Sequence, residues 1–202
     1  MSKIKKRVIH KILLDIDSTL YPMDSVIRDV LQRLYGLDLP EVNQDTWTPW
    51  RQVGLSDEQG RKVMEACHTD EEILRQKPFV GAVAAVKKWA KAGVEVHVVS
   101  HRNPRSAPAT EAWLAKIGLP YAALVLNLTV DKFAYAQKNQ LDLIIDDKPT
   151  LIEQAVESGL PTATLWYPYN QALLSQYPDV IVSGTTWREL RVNLERRYHF
   201  GR

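Results

Sequence analysis

Short apolar runs alternate along this chain with longer stretches of helical period. Residues 8–15 (VIHKILLD), 94–99 (VEVHVV), 122–126, 141–145 (LDLII), 162–166 (TATLW) and 180–182 are each bounded by Gly, Pro or charge, and predict strands. Residues 80–92, 107–117, 131–139 and 150–158 repeat apolar positions at helical spacing. Three of these stretches stop at a glycine: Gly93, Gly118 and Gly159. Strands alternating with helices predict βαβ units, hence an α/β domain with a parallel sheet covered by helices.

Residues 21–78 break that rhythm. Helical patterns cover 24–35 and 57–68, with the irregular stretch LPEVNQDTWTPWRQVG between them and no strand signal. The pattern therefore predicts a core built from residues 1–20 and 79–202, with a small helical cap, 21–78, inserted after the first strand.

Composition narrows the class without identifying it. The chain has 202 residues, 45% hydrophobic and 25% charged, with a formal net charge of +2. No strong field points to nucleic acid or to a membrane surface. The basic residues Lys3, Lys5, Lys6 and Arg7 read as a solvated terminus. A single cysteine, Cys67, excludes an intramolecular disulfide and fits a reducing, cytoplasmic setting. No apolar run approaches the roughly 18–20 residues of a membrane helix, and no secretory leader is expected.

The chemistry gathers at strand ends, where parallel α/β sheets carry their sites. The first strand ends in Asp15 and Asp17, and the second in Ser100, His101 and Arg102. Lys132 follows the third, and Asp146 and Asp147 end the fourth. Several carboxylates in one crevice repel each other, and a hard cation such as Mg²⁺ relieves that repulsion. One Asp can then attack phosphorus, a second can move protons, and a hydroxyl with a Lys can hold the phosphoryl oxygens.

DIDST, residues 15–19, resembles the DxDx[TV] signature of the haloacid dehalogenase-like (HAD) phosphatases. Ser100, Lys132 and Asp146–Asp147 fall where the second, third and fourth motifs of that superfamily belong. LTVDKFAYAQKNQLDLIIDDK, WYPYNQ and TTWRELRVNL are similar to segments of the 5′(3′)-deoxyribonucleotidases. The resemblance implies a Rossmann-like, HAD-type core with a cap, and a Mg²⁺-dependent phosphomonoesterase that forms an aspartyl-phosphate. It implies Asp15 as nucleophile and metal ligand, and Asp17 as general acid/base with its backbone carbonyl on the metal. Ser100 and Lys132 would hold phosphate. Asp147 would be the direct metal ligand and Asp146 its support, while Thr19 would steady the loop beside the nucleophile. The chain departs from the deoxyribonucleotidases in having Ser-Thr after Asp17 and Ser-His-Arg at 100–102. These departures change the residues beside the substrate.

His101 and Arg102 are the further candidates for substrate contact. Trp47 and Trp50 are candidates for stacking on a nucleobase, against the plainer role of closing the insert's own core. Cys67–His68 lacks a second ligand pair, so no zinc site is expected, and His97 reads as structural. The substrate expected is a small phosphorylated metabolite, with nucleoside monophosphates first. A phosphomutase, a phosphatase acting on another metabolite or on a nucleic-acid end, and a non-catalytic phosphate sensor are the competing readings. The assembly is left open, a homodimer included.

Overall fold

The computed structural model describes residues 6–39 and 48–202. Its organising element is a short strand, β2 (Lys11–Leu14), preceded by a two-residue strand, β1 (Val8–Ile9). Ile12, Leu13 and Leu14 of β2 are fully buried, so the strand is covered on both faces, as a parallel sheet requires. On one side β2 pairs with β3 (Glu95–Ser100), which pairs with β4 (Ala123–Leu126). On the other it pairs with β5 (Leu143–Ile145), followed by β6 (Thr162–Leu165) and β7 (Val182–Gly184). All five pairings are parallel. The order β4-β3-β2-β5-β6-β7 reverses beside β2, which opens a crevice at its carboxyl end.

The α/β fold expected from the sequence is the one observed: a parallel sheet flanked by helices, with a helical insertion after the first strand. Three details differ. The first predicted strand is two, because β1 leaves the main sheet to pair with an unpredicted terminal strand, β8 (His199–Phe200). The last strand of the sheet starts later than 180–182 predicted. Val180 and Ile181 spend their N–H groups on the Tyr177 carbonyl in a turn.

The insert contains the two expected helices, α1 (Met23–Tyr35) and α2 (Asp57–Cys67), and a short third, α3 (Asp70–Arg75). A turn of 3₁₀ helix, Pro49–Val53, precedes α2. Met23, Val26, Ile27, Val30 and Leu31 recur at helical spacing and form the buried face of α1. A reciprocal Ser56–Gln59 cap starts α2. The buried Glu72 of α3 binds Arg33 of α1 at 2.9 Å and Arg75 at 2.6 Å, so its charge is compensated.

The helices over the sheet are α4 (Ala82–Lys91), α5 (Ala107–Ile117), α6 (Lys132–Lys138), α7 (Pro149–Glu157), α8 (Gln171–Gln176) and α9 (Trp187–Arg197). The insert is fastened to them through α3, which packs on α5. There the Trp113 indole donates to the Gln76 carbonyl at 3.0 Å and Lys116 Nζ donates to the Leu74 carbonyl at 2.8 Å.

Gly60 on α2 lies directly under Trp50, and a Cβ there would overlap the indole. Gly60→Ala should therefore displace Trp50 and cost about 1–3 kcal/mol, the usual penalty of overpacking. Thermal or urea unfolding measures this, and an unchanged midpoint would contradict the packing described.

Candidate active site

The segment after β2 is a tight loop clamped from several sides. The N–H groups of Thr19, Leu20 and Tyr21 converge on the Ile16 carbonyl at 3.2, 2.7 and 3.4 Å. The Tyr167 hydroxyl donates to the Ser18 carbonyl, and the Trp187 indole to the Thr19 carbonyl, each at 2.6 Å. Ser18 sits at φ 57°, a left-handed conformation uncommon for a residue with a side chain. The clamped loop turns the side chains of Asp15 and Asp17 into two different environments.

Asp15 belongs to a buried carboxylate cluster. Lys132, the first residue of α6, places its Nζ 2.6 Å from Asp15 Oδ1 and 2.7 Å from Asp146 Oδ2. The other oxygen of Asp146 accepts the Lys148 N–H at 2.9 Å. Asp147 Oδ2 accepts the Tyr169 hydroxyl at 2.5 Å, while its Oδ1 is buried without a hydrogen-bond partner. Carboxylate oxygens of Asp15, Asp146 and Asp147 lie within 4.8 Å of one another.

Burial pushes the Asp15 carboxyl up to about 7. Lys132 opposes this, and Asp146 and Asp17 add to it. Burial, then Asp146 and Asp15, drive Asp147 well above the ordinary carboxylate range. Burial pulls the Lys132 ammonium down, but Asp146 and Asp15 together outweigh it and hold the charge on.

Asp17 faces the other way. Arg102 donates to its Oδ1 through Nε at 3.1 Å and Nη2 at 2.7 Å, and Nε also reaches Oδ2 at 3.2 Å. On Oδ2 converge His68 Nε2, at 3.3 Å from the end of α2, and Ser100 Oγ, at 3.4 Å from the end of β3. Burial alone would raise this carboxyl, but Arg102 and then His68 reverse the effect and hold it well below the usual range. Two carboxylates two residues apart are thus pushed in opposite directions, as in sites where paired acids divide their work.

A cleft of about 310 Å³ lies between the sheet edge and the insert. Asp15, Asp17, Ser100, His101, Lys132, Asp146 and Asp147 line its floor, and Trp50 lines its roof, so these sequence candidates come together. His101 Nε2 donates to the Val130 carbonyl at 3.0 Å; burial, then Lys132 and Lys148, lower its pKa and keep the ring neutral at neutral pH.

Two candidates fall elsewhere. Thr19 is buried in the loop and does not reach the cleft. Arg102, expected against substrate, has a fully buried side chain behind Asp17, because that carboxylate takes its charge inward. Trp47 lies outside the described residues. His97 is held by Tyr135 at 2.9 Å and Glu95 at 2.6 Å, away from the cleft. Two cleft residues that bond to the site carboxylates have no site role in the sequence reading. Tyr169 lies within the WYPYNQ segment, which carried a resemblance but no role. His68 had been weighed only as a zinc ligand.

The cluster fits a hard divalent cation. Its donors are all carboxylate oxygens, one of them buried and unbonded, and two of its acids are driven toward protonation by burial first and by their neighbouring carboxylates second.

No protein-family model matches the chain, and no curated protein matches it by sequence. Solved structures do resemble it. A variant of CbbY from Rhodobacter sphaeroides, in complex with xylulose-(1,5)bisphosphate, superposes with a TM-score of 0.63 at 10% identity. The match covers 90% of this chain and 96% of that one. A haloacid dehalogenase-like hydrolase from Streptococcus pneumoniae gives 0.60 at 14% identity, covering 87% and 93%. A predicted phosphoglycolate phosphatase from Haemophilus somnus gives 0.61 at 16%, covering 93% and 97%. At these identities the likeness is one of fold: the chain has the HAD-type Rossmann-like fold with a cap inserted after the first strand. Among the described residues no helix is long and apolar enough to cross a membrane.

The raised pKa of Asp15 makes the metal-free protein pH-sensitive. Between the unfolded value near 4 and the folded value of about 7, the native state binds the extra proton, so this group's contribution to stability falls as pH rises. Metal-free Asp15→Asn should therefore melt above wild type at pH 8, with the gap closing toward pH 5. A variant less stable than wild type at pH 8 would contradict this electrostatic reading.

Proposed function

We propose that this chain is a Mg²⁺-dependent phosphomonoesterase that acts on a small phosphorylated metabolite through an aspartyl-phosphate. One observation carries the reading. Lys132 ties Asp15 to Asp146, and Asp147 offers a free oxygen to the same cluster, while Asp17 is held apart on the opposite side of the crevice. Asp15, Asp147 and the Asp17 backbone carbonyl would hold the ion. Both oxygens of Asp146 are already engaged, by Lys132 and by the Lys148 N–H, which supports Asp147 as the direct ligand. Bound there, Mg²⁺ would neutralise the carboxylates and the charge of the phosphoryl group.

The protein's own groups then divide the steps. Asp15 attacks phosphorus and the P–O ester bond breaks; Asp17, which Arg102 and His68 hold ionised in the free protein, takes a proton from the monoanionic phosphoester and passes it to the leaving oxygen. Water next attacks phosphorus, its proton passes to Asp17, and the Asp15–phosphorus bond breaks to release phosphate. The net change is ester plus water to alcohol plus phosphate. Lys132 and Ser100 hold the transferring oxygens, and neutral His101 offers contact without adding charge. Residues 21–78 act as the cap over the core formed by 1–20 and 79–202, and exclude water from the cleft. Some proteins of this fold carry names or ligands of small phosphorylated compounds, xylulose-(1,5)bisphosphate and phosphoglycolate among them, which supports the substrate class.

A second, narrower reading is a nucleoside monophosphate. The side of the cleft formed by the insert carries Met23, Ile27, Pro49, Trp50 and Met64 beside Asp24 and His68, and none of the described insert residues lining it is Lys or Arg. A second phosphate or a carboxylate on the leaving group finds no cationic partner there, whereas a flat, uncharged nucleoside finds apolar surface and an indole.

Phosphate release from a panel of sugar phosphates, carboxylated phosphates, bisphosphates and nucleotides, with and without Mg²⁺, tests both readings. Mg²⁺-dependent hydrolysis of monophosphates is expected, with Asp15→Asn reduced to background. Inactivity across the panel would overturn the phosphatase reading in favour of a phosphate sensor. If nucleotides are the substrates, Trp50→Ala should weaken their KM by about 1–3 kcal/mol, the worth of one stacking contact. An unchanged KM would remove the nucleobase from the proposal.

A further inference from the structure

Arg102 is the largest buried charge in the core with no place on the cleft. Its side chain has no solvent exposure, yet each guanidinium nitrogen has a hydrogen-bond partner. Nε and Nη2 fork onto Asp17, Nη2 also reaches the Tyr21 hydroxyl at 2.6 Å, and Nη1 donates to Thr110 Oγ1 at 3.2 Å. The guanidinium lies 5.1 Å from the Tyr21 ring centroid and 5.9 Å from that of Trp113. Burying a guanidinium is costly unless it is paired and hydrogen-bonded, and here a carboxylate and two hydroxyls meet it. Thr110 and Trp113 both belong to α5 of the core, and Tyr21 opens the insert, so the cation is held where the two meet.

Its effect falls on one atom. The guanidinium takes Oδ1 through both Nε and Nη2 and touches Oδ2 through Nε alone at 3.2 Å, so Oδ2 is the oxygen that also faces Ser100 and His68, two residues that line the cleft. We infer that Arg102 is a positioning residue that locks the Asp17 carboxylate in one rotamer, so that a single oxygen is presented to the leaving group. The inference rests on the phosphatase reading, in which Asp17 delivers a proton to the leaving oxygen. Only a planar fork sets carboxylate orientation this way. A lysine restores the charge but not the angle.

The test is Arg102→Lys, assayed for kcat/KM with dinitrophenyl, para-nitrophenyl and phenyl phosphates, whose leaving groups need progressively more help from a proton. Thermal melting checks the folded fraction. Wild type should vary little along the series. The variant should keep most of its rate with dinitrophenyl phosphate and lose about a hundredfold with phenyl phosphate, the scale of a misplaced acid. An equal loss along the series would mean that Arg102 is merely structural, and would overturn the inference while leaving the phosphatase reading intact. A wild type inactive on all three would overturn both. If Arg102→Lys does not fold, Thr110→Val removes one anchor of the guanidinium and should give the same graded loss at smaller amplitude. An ungraded response in that variant would also overturn the inference.

Discussion

The bridge from Lys132 to Asp15 and Asp146 is the interaction on which the site depends. Three carboxylates are gathered at the carboxyl ends of β2 and β5, where the strand order reverses. Buried together without compensation they would be prohibitively costly. Lys132 supplies one positive charge from the first turn of α6, an end where the helix dipole disfavours a cation. Two short contacts to carboxylates outweigh that penalty. One ammonium still does not balance three acids. Burial, with the neighbouring acids adding to it, pushes the Asp15 carboxyl to about 7, and one oxygen of Asp147 is left unbonded. The cluster is built with room for a further cation.

The second carboxylate of the DIDST segment belongs to a different electrostatic neighbourhood. Ser18, in its left-handed conformation, and the clamps from Tyr167 and Trp187 turn the chain sharply after Asp17. Arg102, Tyr21 and Thr110 form a buried socket for that carboxylate, and His68 meets it from the insert. Asp17 is therefore a point where core and insert touch, so the seating of the insert bears directly on the chemistry proposed for the crevice.

Much of this was legible in the sequence. β2, β3 and β5 are buried on both faces, so they appear as unbroken apolar runs, and the residues that follow them fall at one edge of the sheet. That logic places Asp15, Asp17, Ser100, Asp146 and Asp147 at one crevice; Lys132 joins them from the start of α6, after the half-buried β4. What it missed depends on tertiary packing. Arg102 follows Ser100 and His101 and looks like a residue facing substrate. Only the fold shows that α5 encloses it and that Asp17 turns inward to meet it. His68 ends a helix whose pattern fixes its apolar face but not where that helix lands on the core. The strand β8 and the helix α3 are too short for periodicity to reveal.

The central claim is that Asp15 forms a bond to phosphorus. Acid quenching of the protein during turnover of a phosphomonoester with Mg²⁺, followed by peptide mass spectrometry, tests it directly. The account predicts one added phosphoryl group on the peptide containing Asp15, lost on treatment with hydroxylamine. Turnover with no phosphoryl group on that peptide, or with one on a different residue, would contradict it.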